Sequence, residues 1–118
     1  MSSAQDVARR YFEAWTTGDR AAVTDLLAPD FRFTAGELSI AGRDAFLAGA
    51  SFPADARTTM VAEAYQGNVG FQMYDASRAG RTVRIVEQLT MRDGAIASAE
   101  VVTDPSAFAA FAGAPATS

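Results

Sequence analysis

Hydrophobic and polar positions alternate most regularly between Gly80 and Gly94, in GRTVRIVEQLTMRDG. Val83, Ile85, Leu89 and Met91 share one parity, and Thr82, Arg84, Val86, Gln88 and Thr90 the other. A period of two predicts a strand with one face on a core, bounded by the glycine at its head and the Arg-Asp-Gly turn at its foot. Glu87 breaks the pattern. It falls on the apolar parity between Ile85 and Leu89, where a carboxylate would lose its hydration. Such a group requires a buried partner or a cavity to line.

Around this strand the pattern predicts an α+β domain. Val7, Tyr11 and Trp15 recur every fourth residue, so Ser3 to Thr17 is expected to be a helix with Ser2 or Ser3 as its cap and Gly18 as its stop. Asp19 caps a second helix that runs through Val23 and Leu27 to a stop at Pro29. Phe31 to Thr34 reads as a short strand, AGELSIAG as an irregular segment, and Asp44 to Ala50 as a third helix. Strands are then expected at Arg57–Gln66, Val69–Ala76 and Ala95–Thr103, joined by glycine turns, before a short helix from Ser106 to Ala112 and a frayed tail, GAPATS. Strands in such a meander are mostly antiparallel. A curved sheet wrapped around the N-terminal helices makes a cone, with Tyr11 and Trp15 facing the sheet and a pocket inside.

Composition narrows the chemistry. The 118 residues suit a single domain, 1–118, with 49% hydrophobic and 20% charged residues. Cysteine, histidine and lysine are all absent, which excludes thiol and histidine nucleophile systems, histidine metal ligands and Schiff bases. Carboxylates, tyrosines, arginines and hydroxyls are left. A net charge of −4 argues against nucleic acid as a partner, and no apolar run is long enough for a membrane span. The opening MSSAQDVARRYF has no signal-peptide core, so a cytoplasmic setting is the expectation. No phosphate loop or metal-binding spacing is present, and no cofactor or metal is expected.

Three segments, VARRYFEAWTTGDRAAVTDLLAPDFRF, AGRDAF and VEQLTMRDGAI, resemble the nuclear-transport-factor-2-like (NTF2-like) superfamily, in particular its SnoaL-like and ketosteroid-isomerase-like branch. The resemblance covers nearly the whole chain and implies the cone-shaped fold. It also implies roles. Tyr11 is similar to the isomerase tyrosine that donates a hydrogen bond to a developing enolate, and Glu87 to the protonated acid on a late strand that donates beside it. The isomerase base, an aspartate just past the first strand, has Ala35 at its matching position. Ile85 stands where limonene-epoxide-hydrolase-like members carry arginine, and the histidine-dependent members find no counterpart. Family members commonly pair as homodimers through the outer sheet face, which here would present Arg84, Val86, Gln88 and Thr90.

The candidate catalytic residues are therefore Glu87 and Tyr11, stabilising negative charge on the oxygen of a hydrophobic carbonyl compound, as in an isomerase or cyclase. Trp15, Phe33, Phe46, Phe71, Met73 and Leu89 are candidate apolar lining. Asp75, placed by strand parity with Phe71 and Met73, is the candidate polar contact near the strand end. Each has a plainer alternative. Glu87 could be a structural ion pair with an arginine such as Arg57. Tyr11 and the apolar residues could simply be core. Asp75, Glu37, Glu63 or Glu100 could supply the missing base, but each is expected to be a solvated or interface charge. A non-catalytic ligand-binding module and a dimerisation unit with a filled pocket stand beside the enzyme reading.

Overall fold

The computed structural model describes residues 3–114. Residues 115–118, most of the tail expected to fray, lie outside that range. Helix α1 (Ala4–Thr17) starts where the Ser3 hydroxyl accepts the Asp6 N–H at 3.1 Å. It stops at Gly18, whose φ of 77° is one that glycine adopts without strain. Its buried stripe is Val7, Ala8, Tyr11 and Ala14. Helix α2 (Arg20–Leu26) is capped by Asp19 and ends earlier than expected. Ala28 precedes Pro29, which disfavours a helical conformation there, and the buried pair Leu27 and Ala28 already belongs to strand β1 (Leu27–Ala35).

A second correction falls in AGELSIAG. Gly36, with φ of 59°, turns the chain into strand β2 (Leu38–Ala41), which pairs antiparallel with β1. This edge strand is only four residues long and almost wholly exposed, so the brief alternation of Leu38, Ser39 and Ile40 is too short to predict a strand. Helix α3 (Arg43–Gly49) follows and buries Phe46 against β1. Strands β3 (Arg57–Gln66), β4 (Val69–Arg78), β5 (Arg81–Arg92) and β6 (Ala95–Thr103) form the expected meander, and helix α4 (Pro105–Ala112) closes the described chain.

The sheet has six strands in the order β2-β1-β6-β5-β4-β3, with β1 parallel to β6 and the other neighbours antiparallel. Register shifts fall between Leu27 and Arg32, Met60 and Ala62, and Thr90 and Met91. Irregularities of this kind bend strands, and the sheet is curved and unclosed. Two apolar clusters fill its concave side. One gathers α1, α2 and α3 around Phe31, Phe46, Leu89 and Ile96. The other packs α4 through Phe111 on Tyr74, Val83 and Ile85. Arg78 secures that helix: its Nη1 donates to the Phe111 and Ala114 carbonyls, each at 2.7 Å, while its Nε pairs with Asp55 at 2.8 Å. Among the described residues, no helix is long and apolar enough to cross a membrane.

Candidate functional site

Between the two clusters lies an open cavity of about 890 Å³. Tyr11 and Trp15 of α1, Phe33 and Ala35 of β1, Tyr74 of β4, Ile85 and Glu87 of β5, Val101 of β6 and Phe108 of α4 are among its walls. Strand β5 delivers Glu87 there by simple alternation. Val83, Ile85, Glu87, Leu89 and Met91 are all buried, and Glu87 is only 4% exposed. Helix α1 delivers Tyr11 from the opposite side, its ring stacked on Trp15 at 6.3 Å.

Burial is what governs the acid. It raises the Glu87 pKa from 4.5 to about 8, so the neutral carboxylic acid predominates at neutral pH. Burial likewise raises Tyr11 and Tyr74, and the Glu87 charge adds to both. The site thus offers three O–H donors. Among the described residues none of them is hydrogen-bonded to protein, which leaves all three for whatever enters the cavity. No arginine pairs with Glu87 in the same set. Arg57 lies opposite Ser77, in the row of Thr82, five residues along β5 from Glu87, and the ion-pair alternative has no support here.

The remaining candidates divide. Trp15 and Phe33 line the cavity. Phe46 lies behind them, its ring 5.3 Å from Trp15 and 5.0 Å from Phe33, and Leu89 is buried in the first cluster. Neither touches the cavity. Phe71, Met73 and Asp75 are corrected outright as lining residues. Gln72, Tyr74 and Ala76 are the buried parity of β4, so these three face the outer side of the sheet. Phe71 is 47% exposed, and Asp75 pairs with Arg84 at 2.8 Å. The more apolar parity of β4 is the outer one, which is why composition pointed the wrong way.

Among the described residues, no second acid takes the place of the missing base. Glu100 borders the cavity, but it pairs with Gln88 and alternates with Val101, so its side chain belongs to the outer face. Glu37 is exposed in the β1–β2 turn. Glu63 is on the inner face, held by the Arg9 Nε at 2.9 Å and by the Tyr65 hydroxyl at 2.7 Å. Sequence reasoning missed Tyr74. The signal was the short turn at Ala79-Gly80, both at positive φ, which pairs Arg78 with Arg81 and sets the parity of β4 against that of β5.

The model of the SnoaL-like domain matches residues 8–99. This chain belongs to the SnoaL-like family. Solved structures agree on the fold of this SnoaL-like domain. A protein from Kribbella flavida DSM 17836, provisionally named a ketosteroid isomerase, superposes with a TM-score of 0.79 at 20% identity, over 86% of this chain and 77% of that one. A provisionally named SnoaL-like polyketide cyclase from Jannaschia sp. CCS1 gives 0.77 at 18% identity, over 95% and 92%. An NTF2-like protein of unknown function from Cytophaga hutchinsonii ATCC 33406 also gives 0.77 at 18%, over 92% and 96%. No curated protein matches the SnoaL-like chain in sequence. At these identities the structural likeness speaks for the fold, and the chemistry must be argued from the cavity.

Proposed function

We propose that this SnoaL-like domain binds a hydrophobic carbonyl compound and stabilises negative charge on its oxygen, the step common to isomerisation and aldol-type cyclisation. One observation carries the reading. A buried, protonated carboxyl group and two protonated tyrosines are directed into one apolar cavity. Glu87 and Tyr11 would donate to the carbonyl oxygen as it becomes enolate-like or alkoxide-like, and Trp15 and Phe33 would hold the apolar body. Donors fixed in a low-dielectric site act without the reorganisation that water requires.

Ala35 lines the wall where a base would be expected, so the proton must pass to solvent water through the open cavity, which requires an unusually acidic C–H. A C–H between two carbonyls meets that condition, which favours a β-dicarbonyl, polyketide-like compound over a simple enone. With such a substrate, Glu87→Gln and Tyr11→Phe are each expected to lower kcat by about 10²–10³-fold, the usual cost of losing an oxyanion donor. Circular dichroism should show both variants folded. Unchanged turnover in both would remove the mechanism.

The missing second carboxylate supports one other reading, a carrier that binds the same ligand without transforming it. A thermal-shift screen with hydrophobic ketones, lactones, steroids and β-dicarbonyls separates the two. Either protein is stabilised by its ligand through mass action. Only the enzyme consumes it. We also infer a homodimer through the outer sheet face. The supporting feature is a run of exposed or half-buried apolar side chains there, including Phe71, Met73, Val86 and Val102.

A further inference from the structure

Behind the cavity wall, a row of residues crosses the inner face of the sheet. The register pairs Glu63 of β3 with Gln72 of β4, Gln72 with Glu87 of β5, Glu87 with Val101 of β6, and Val101 with Ala35 of β1. Gln72 is 1% exposed and does not line the cavity. Its Nε2 donates to the Tyr65 hydroxyl at 3.0 Å, whereas its Oε1 is buried with no hydrogen-bond partner among the described residues. A buried amide oxygen left in this state is costly and rare.

The direction of each bond in the row is determined from its outer end. The Arg9 guanidinium donates to both oxygens of Glu63, at 2.9 and 3.2 Å, so Glu63 is a carboxylate and accepts. Tyr65 spends its only proton on Glu63, at 2.7 Å. Its oxygen can then only accept, which requires the NH₂ of Gln72 to face Tyr65 and the carbonyl oxygen to face away. Gly70 lets the Tyr65 ring lie where it does: a Cβ there would sit 2.7 Å from that ring. Directly across the ladder, side chains on one face of an antiparallel pair lie about 5 Å apart at Cβ, and the neighbour on that side of Gln72 is Glu87. One group in the row has an acceptor without a donor. The next has a carboxyl group without a partner.

We propose that Gln72 is a positioning residue for Glu87: its Oε1 accepts the carboxyl proton of Glu87 and keeps that group an acid. The chain of donors and acceptors then runs one way, from Arg9 through Glu63, Tyr65 and Gln72 to Glu87. An ionised Glu87 would set lone pairs against the Gln72 oxygen, so the device favours the protonated form. The other polar groups facing Glu87 are the hydroxyls of Tyr11 from α1 and Tyr74 from β4, while β6 presents Val101. The second carboxyl oxygen stays open to the cavity.

The inference concerns the acid that the proposed function uses, so its test is spectroscopic rather than kinetic. Below the Glu87 midpoint, infrared difference spectra should contain a carboxylic-acid C=O band that Glu87→Gln abolishes. In Gln72→Met that band is expected at higher frequency, toward that of a free carboxylic acid. An unmoved band in a folded Gln72→Met protein, or no band assignable to Glu87, overturns the proposal. Should Gln72→Met not fold, the wild-type protein decides by NMR. The Gln72 side-chain amide signals should titrate with the midpoint of the Glu87 carboxyl carbon, and amide signals that ignore that titration overturn it. Unchanged turnover in both Glu87→Gln and Tyr11→Phe would remove the proposed function and leave this bond standing.

Discussion

Glu87 stores a proton that the unfolded chain would release. With its pKa raised from 4.5 to about 8, folded and unfolded states differ in protonation between those values, and the folded state binds more. Stability is therefore complete at acid pH, falls as pH rises through this window, and levels off once both states are ionised. The shift corresponds to on the order of 5 kcal/mol, large against the roughly 5–15 kcal/mol that holds a domain together. Glu87→Gln cannot ionise and should flatten the slope. In urea titrations it is expected to match the wild type near pH 5 and to exceed it near pH 9 by several kcal/mol, in the range set by the linkage relation. A wild-type protein equally stable at both ends would show that the carboxylate is solvated or paired after all. At this scale the sequence was informative for one residue and misleading for three. An acid on an apolar parity is conspicuous in a linear pattern. The outward placement of Phe71, Met73 and Asp75 is not, because Gln72 is polar and yet buried.

Hairpins carry the next level of information. The β4–β5 turn at Ala79-Gly80 and the β5–β6 turn at Asp93-Gly94 place both central residues at positive φ, as a type I′ turn requires. Two-residue turns of this kind lock the ladder, and one slip would move every side chain to the other face. Counting back along the first of them pairs Glu87 with Gln72, a partnership readable in principle from the glycine alone. In β3–β4 the close approach of Tyr65 to Gly70 supplies an element-scale test. Gly70→Ala would force the ring to move, since the added methyl would lie 2.7 Å from it. We expect a loss of about 1–3 kcal/mol in denaturant titrations, as for other overpacked sites. A neutral Gly70→Ala would mean that Tyr65 can leave its place without consequence, and with it the anchor of Gln72. What no local pattern foretold was the length of β1, whose partner β6 is distant in the chain, and the existence of β2, a four-residue edge strand that pairs with β1 alone.

Across the whole molecule, the inner and outer sheet faces differ in character. The inner face, bent around α1 and flanked by α4, leaves an open cavity between its two core clusters. The outer face leaves Val102 61% and Phe71 47% exposed, beside the Asp75–Arg84 ion pair. Exposed large apolar side chains on one surface are a common sign of association. Sedimentation of the wild-type protein is expected to report a dimer, and the double substitution Phe71→Lys with Val102→Lys a folded monomer. A wild-type monomer at every concentration tested would remove the dimer.

The linear pattern determined the α+β class, the amphipathic first helix, the meander and the odd position of Glu87, because each follows from periodicity and turn chemistry within a short window. Tertiary structure alone decided that the space beside Glu87 is open, that Tyr11 meets Tyr74 across it, and that the Gln72 oxygen is buried without a partner among the described residues. Those facts depend on how a sheet bends and which strands meet across it, and curvature of that kind is a property of many residues acting together.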